Sequence, residues 1–311
     1  EISQEMHDLA PQEKPFGYDI IYDDIVDASN LGVPQTRRRL IIIGIRRDLY
    51  ERFTDIHKMQ IEDDFEFALS GRNTGLPHFP MTAIEVFEGK TLPGLQDRYK
   101  EIMEAYRELV TDMRLTSPSA KAWREAVWSQ YTGDILKDYC TANQIRPTLF
   151  HSEQFEVAMD EHERILREFG WWGQPVYDVQ AEDGTNDPPS VKQSVADRMY
   201  MIPPDENYQF VDDTEWQVEG KGISFIYRRS SPLKPAWTVV AYGGGGTYGY
   251  HYERNRSQLT LRERARIQTF TDDFLFEGPG VRAQIGEAVP PLMGKRIAEQ
   301  IMKVLDKLNG G

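Results

Sequence analysis

Residues 32–46 read Gly-Val-Pro-Gln-Thr-Arg-Arg-Arg-Leu-Ile-Ile-Ile-Gly-Ile-Arg. The apolar run at residues 40–46 is short and continuous, which predicts a strand buried on both faces, as in the parallel-rich sheet of an α/β domain. Asn30, Gly32 and Pro34 precede it and predict a turn. Before that turn, residues 17–27 are rich in aromatic and β-branched residues and predict another strand. The chain is thus expected to open on two strands that form the end of a sheet whose other strands lie elsewhere. Arg37 and Arg39 alternate, so on an extended chain they project to one side. A forked arginine donor suits a phosphate or a base carbonyl; on charge alone, a solvated basic strand edge is the favoured reading.

Outward from this block, the 311 residues suggest two domains and a core that needs no staples. Hydrophobic residues make up 40% and charged residues 28%, which excludes a chain disordered over most of its length. The longest aliphatic run, Leu40 to Ile43, is too short to span a bilayer, and no basic start precedes an apolar stretch. Cys140 is the single cysteine, so an intramolecular disulfide is excluded and a reducing, cytoplasmic setting is expected. His151 and His162 are too isolated for a metal site and read as structural, and no metal is expected. The chain starts at Glu1 rather than methionine and is expected to be a piece of something longer.

The net charge of −14 argues against nucleic acid, but its distribution reverses that reading. Residues 51–220 are net −17, whereas residues 221–268 are net +7. Arg37, Arg38, Arg39, Arg46 and Arg47 form a second basic cluster. Apolar periodicity predicts helices over 95–113, 123–139 and 155–169, the last stopped by Gly170. Residues 71–94 and 183–189 read as loops, 222–227 and 236–242 as strands, and Gly243 to Gly246 as a mobile turn. Thr260 and Glu263 have capping-box spacing and predict a helix start, with Arg262, Arg264 and Arg266 on that helix. Residues 284–291 form a tight segment ending in two prolines, followed by a last helix from about 292 to 308.

Three segments taken in order resemble the last blocks of the cytosine-5 DNA methyltransferases. Residues 32–46 match the family pattern G-V-P-Q-x-R-x-R followed by a strand ending in Gly-Ile-Arg. Residues 259–274 (LTLRERARIQTFTDDF) match L-T-x-R-E-x-A-R-x-Q-x-F-P-D-x-F, with Thr271 in place of proline. Residues 284–291 (QIGEAVPP) match Q-I-G-N-A-V-P-P, with Glu287 in place of asparagine. Residues 227–240, His251 and Arg256 are also similar to the family. Three other family features are absent: a Gly-rich turn after a first strand, a Pro-Cys nucleophile and a Glu-Asn-Val. Cys140 follows Tyr139 in an expected helix and reads as a small core residue.

The resemblance implies a fold and a site. The fold class is α/β, with the C-terminal strands and last helix of a Rossmann-like, S-adenosylmethionine-dependent domain. Residues 1–50 would supply those strands and residues 284–311 the returning motif and helix. Residues 51–283 would be an inserted, mixed α+β target recognition domain, with an acidic helical lobe at about 95–170 and a basic, DNA-facing stretch at 221–268. Gln35, Arg37 and Arg39 would line the catalytic wall, Arg39 holding the base carbonyl or a nearby phosphate. Gly286, Glu287 and Ala288 would touch S-adenosylmethionine. Arg228, Arg229, Lys234, Arg254 and Arg256 would contact double-stranded DNA. The family's covalent chemistry needs a thiolate that adds to carbon 6 of a flipped cytosine. This chain would therefore need an N-terminal half bearing Pro-Cys, on the same chain or on a separate subunit. The expected setting is a bacterial restriction–modification system, at the nucleoid. Two other classes stay open at this point: a DNA-binding module without catalysis, and an acidic protein-interaction domain.

Overall fold

The computed structural model describes residues 17–219, 226–242, 247 and 249–309. Strand β1 (Tyr18–Asp27) and strand β3 (Arg38–Arg46) form an antiparallel ribbon, from Tyr18 opposite Arg46 to Asp27 opposite Arg38. The turn between them is a 3-10 segment, Ala28–Leu31, capped by the Asp27 carboxylate and ended by Gly32 at φ 90°. Strand β2 (Gln35–Thr36) leaves this ribbon and pairs in parallel with β4 (Ala236–Trp237).

The expected strand at 40–46 is present, but its surroundings are not those expected. It pairs antiparallel rather than within a parallel sheet, and Leu40 is 51% exposed. Ile41 to Ile45 are only half-buried. On β1, Ile21 and Val26 are buried while Ile25 is 52% exposed. A run that is apolar on both faces lies here with neither face fully covered.

Helix α1 (Asp55–Ser70) packs on the ribbon through Ile61, Phe65 and Leu69. Its first turn is capped by Thr54, and Gly71 ends it at φ 67°. A Cβ at Gly71 would meet the Asn30 carbonyl oxygen at 1.9 Å, so the helix end seats directly on the β1–β3 turn.

Residues 71–94, expected as loop, contain helix α2 (Ala83–Glu88), which is entirely buried. Its capping box, Thr82 with Glu85, and its stop at Gly89 obey the rules used elsewhere on this chain. The expected helix at 95–113 is broken into α3 (Gln96–Glu104) and α4 (Arg107–Thr111). That at 123–139 is replaced by α5 (Pro118–Trp123), a π turn over Arg124–Trp128, and α6 (Ile135–Ala142). Gly133 at φ 72° and the Asp134 cap force the restart. Helix α7 (Glu153–Glu168) agrees with the reading, with Gly170 at φ 72° after it. Helix α8 (Gln193–Met201) was not anticipated.

Of the strand expected at 236–242, only Ala236–Trp237 forms. The expected strand at 222–227 lies mostly outside the described residues, as do Gly243 to Gly246 and Tyr248. Helix α9 (Leu261–Ile267) starts at the expected capping box, where Thr260 and Glu263 satisfy each other's backbone N–H. Helix α10 (Val281–Glu287) leads to α11 (Pro291–Asn309), whose proline sits in the first turn. This mixture of helix and strand is consistent with an α/β methyltransferase fold. Among the described residues no helix is long and apolar enough to cross a membrane, and no cluster of metal-ligating side chains occurs.

Candidate catalytic wall and nucleic-acid interface

The three motif segments meet in space. Gln35, fully buried, donates through Nε2 to the Ile267 carbonyl at 3.0 Å and to Gln268 Oε1 at 2.5 Å. Its Oε1 accepts from the Val239 N–H at 3.1 Å. Gln268 in turn donates to the Ile285 carbonyl at 2.5 Å, and the Thr269 hydroxyl oxygen accepts from the Leu292 N–H. Two glutamines thus tie the β2 strand, the 236–240 segment, the end of α9 and the 284–292 segment into one knot. All their donors and acceptors are used, as burial requires.

Arg37 is the second tie. It is 4% exposed and donates to the carbonyls of Val239 (3.3 Å), Gly286 (3.1 Å) and Ala288 (3.2 Å). Burial, and the neighbouring Arg39 charge, lower its pKa to about 10, so it stays cationic at neutral pH. Gly286 is where the knot closes most tightly: a Cβ there would lie 2.3 Å from the Ala241 nitrogen. Arg39, two residues on, is exposed, and among the described residues its guanidinium donates to the adjacent Arg38 carbonyl. Of the three expected wall residues, Gln35 and Arg37 therefore face inward as supports, and Arg39 alone is presented outward.

The arginines of α9 are not a basic face. Arg262, Arg264 and Arg266 are buried. Arg262 pairs with Asp183 at 3.0 Å and donates to the Thr271 and Phe274 carbonyls; Arg266 pairs with Asp272 and reaches Val86 O and Gln174 O. Burial opposes charge on Asp183, but hydrogen bonds from the Phe276 N–H and Thr185, with the Arg262 charge, outweigh it and hold the pKa at about 2. The loop at 183–189 is thereby bolted to α9, a role with no visible signal in its DGTNDPP sequence.

The five expected DNA contacts separate into two groups. Arg229 is fully buried and donates to the carbonyls of Met199, Ile202, His251, Glu253 and Arg256. Arg254, 7% exposed, donates to Tyr200 O and Ala105 O and pairs with Glu108. The expectation that these two face DNA is corrected here: both guanidinium groups are spent on internal carbonyls that would otherwise be unpaired. Arg228, Lys234 and Arg256 are partly exposed. Arg228 lies over the Trp237 ring at 3.3 Å, Lys234 pairs with Asp205 at 2.5 Å, and Arg256 pairs with buried Glu263 at 2.6 Å.

Two buried histidines are structural. His162, reading as a core residue in the sequence, bonds Glu85 and the Phe79 carbonyl at 2.9 Å each. His251 Nδ1 accepts from the Glu253 N–H, and burial with the charges of Arg256, Arg229 and Arg98 pushes its pKa well below the usual value. Glu287, the departure from the family pattern, is exposed and accepts from the Tyr242 hydroxyl. It is not a buried unpaired carboxylate. Residues missed from the sequence include Trp237, which carries Arg228, and Thr238, whose hydroxyl donates to the Thr36 carbonyl at 2.7 Å.

Comparison with known proteins agrees with this geometry. A family described as C-5 cytosine-specific DNA methylase matches residues 3–303. The DNA (cytosine-5-)-methyltransferase M.ApeKI of Aeropyrum pernix is 51% identical over 293 residues, 93% of this chain and 61% of the relative. The type II methyltransferase M.BbvI of Brevibacillus brevis is 43% identical over 122 residues, 38% of this chain and 32% of the relative. M.NgoFVII of Neisseria gonorrhoeae, also type II, is 36% identical over 145 residues, 46% and 38% of the two chains. The chain thus spans less than two thirds of the length of these relatives. No solved structure matches it significantly. With the three motifs joined through Gln35 and Arg37, and the family match running along nearly the whole sequence, the chain belongs to the C-5 cytosine-specific DNA methylases.

Proposed function

We propose that this chain is the C-terminal part of a DNA (cytosine-5-)-methyltransferase of a restriction–modification system, and that it requires an N-terminal half carrying the Pro-Cys nucleophile. The observation that supports this best is the knot just described. Gln35 and Arg37 hold the strand that carries Arg39 against the 284–288 segment, and their buried bonds leave Arg39 as the outward donor. The Arg39 guanidinium then orients the flipped cytosine through its carbonyl, or an adjacent phosphate. Arg37 and Gln35 keep that strand from moving. Residues 51–283 form the target recognition domain, Arg228, Lys234 and Arg256 face duplex DNA, and the acidic helices at 95–170 lie away from it. The enzyme works at the nucleoid in the cytoplasm.

S-adenosylmethionine fits this chain at one edge only. The Gly286 and Ala288 carbonyls are already taken by Arg37, while Glu287 and Val289 are exposed. Glu287 offers an acceptor for a cofactor donor and Val289 an apolar contact. When bound, the cofactor supplies the methyl group. The rest of its pocket comes from the N-terminal half. That half also covers apolar side chains left exposed here, among them Ile25 and Leu40 on the ribbon and Met302 and Leu305 on α11. The test is Arg39→Ala in the reconstituted enzyme. A fall in kcat of at least about 100-fold is expected for a lost transition-state contact. Unchanged turnover refutes the assignment.

A further inference from the structure

Four carboxylates are buried among the described residues: Glu85, Glu88, Asp138 and Glu263. Three have a basic partner. Glu85 faces His162 at 2.9 Å, Glu88 takes Arg98 at 2.9 Å, and Glu263 takes Arg256 at 2.6 Å. Asp138, on α6, has no such partner among the described residues; Lys137, beside it in sequence, pairs with Asp134 instead. The Asp138 oxygens accept from the Tyr99 hydroxyl at 3.1 Å, and from the Thr132 N–H and hydroxyl at 3.2 and 2.8 Å. Those bonds serve the lone pairs but bring no opposite charge, which a buried carboxylate ordinarily has.

Asp138 also lines an open cavity of about 160 Å³. The walls are apolar: Tyr99 and Met103 from α3, Trp123 from the end of α5, Tyr131, and Leu233. All but Tyr131 are buried, and the Tyr131 ring is backed by Trp128, stacked 4.9 Å away at 13°. The chain after Trp123 runs as the π turn Arg124–Trp128, which places Ala126 and Val127 on the cavity. Such turns are rare and frequently mark functional sites. Lys234 and Asp205 line the cavity too, but pair with each other at 2.5 Å. The cavity thus keeps the one negative charge of Asp138.

Apolar walls around a single carboxylate without a counter-charge fit a guest with an apolar body and one positive head that donates hydrogen bonds. A cavity of about 150 Å³ takes a benzene ring, which sets the size of that body. A metal ion is not suited, because no group of ligating side chains occurs among the described residues. Duplex DNA is not suited either, since the cavity is built mostly from the acidic stretch 51–220 and is itself negative.

We propose that this cavity is a binding site for a small organic monocation, its ammonium head on Asp138 and its apolar body against Met103, Trp123 and Tyr131.

The test titrates the 311-residue chain with benzylammonium and, in parallel, with benzyl alcohol, which has a similar shape and no charge. Calorimetry should show benzylammonium binding at least about tenfold tighter, as a hydrogen bond to a charged group provides. The Met103 methyl resonance of the parent chain should shift during the benzylammonium titration. Asp138→Asn keeps the size of the side chain and should abolish the preference for the cation. Val127→Trp, at a position 38% exposed, fills the cavity and should remove binding of both ligands. The assignment is overturned if benzylammonium fails to bind, or binds no tighter than the alcohol. It is overturned equally if the Met103 methyl stays unmoved at saturation, a reading that needs no variant. A folded Asp138→Asn chain that keeps the preference, or a Val127→Trp chain that binds like the parent, also overturns it.

Discussion

The Arg37 guanidinium donates to the Gly286 carbonyl at 3.1 Å, across 249 positions of sequence. Its other terminal nitrogen reaches Val239 O at 3.3 Å. A buried cation held by carbonyls alone loses hydration and regains hydrogen bonds but no opposite charge. Its value lies in joining three segments, a role it shares with the two glutamines.

Replacing Arg37 by alanine leaves three buried carbonyls without that donor. A loss of about 3 kcal/mol in unfolding free energy is expected, measured from urea midpoints at constant slope. Arg37→Lys keeps the charge but cannot span carbonyls on both sides, and should recover less than half of the loss. A lysine variant as stable as the parent would show that charge, rather than the fork, holds the segments.

Gly286 is needed for a different reason. The Ala241 nitrogen lies 2.3 Å from where a Cβ would sit, and the Val240 carbonyl carbon 2.5 Å. Both are backbone atoms, so neither can rotate away. Gly286→Ala should destabilise the chain by about 2 kcal/mol or more through the forced shift. The same substitution at Gly170 should cost less, because no atom lies within 4 Å of its Cβ position and only its φ of 72° is strained. Comparing the two thermal midpoints checks this.

Asp183 gives the chain an acid-sensitive joint. Its folded pKa of about 2 lies below the ordinary carboxylate value. A depressed pKa contributes stability that is full above the unfolded value and is lost as pH falls through the folded one. The expected loss therefore runs from about pH 4 down to about pH 2. Asp183→Asn should flatten that part of the stability profile and leave Arg262 buried without its carboxylate at every pH. An unaltered acid limb in the variant would contradict the role given to this pair.

Much of the fold was legible where local chemistry decides it. The capping box at Thr260 and Glu263, the stop at Gly170 and the long period of α7 needed no tertiary information. Helix α2 was legible too, by its Thr82 and Glu85 spacing, but the surrounding glycines and prolines masked it. The breaks at 105–106 and 129–134 were not, because apolar periodicity runs on across positions where the chain turns. In the site, residue types were readable and their directions were not. Nothing in Arg228-Arg229 distinguishes a half-exposed arginine over an indole from one buried among carbonyls. That difference is set by Trp237 and by the 251–256 turn, which are distant in sequence. The buried arginines of α9 show the same limit: a basic helix in sequence is a set of internal struts in the structure.

The central claim is that this chain performs cytosine-5 methylation only with a complementary half. The direct measurement is transfer of a labelled methyl group from S-adenosylmethionine to duplex DNA. It is made with the 311-residue chain alone, and again after mixing with the portion of M.ApeKI that the chain does not cover. The account predicts no transfer alone and 5-methylcytosine in the DNA after mixing. Transfer by the chain by itself would contradict the account, and so would a reconstituted pair that binds DNA but leaves it unmethylated.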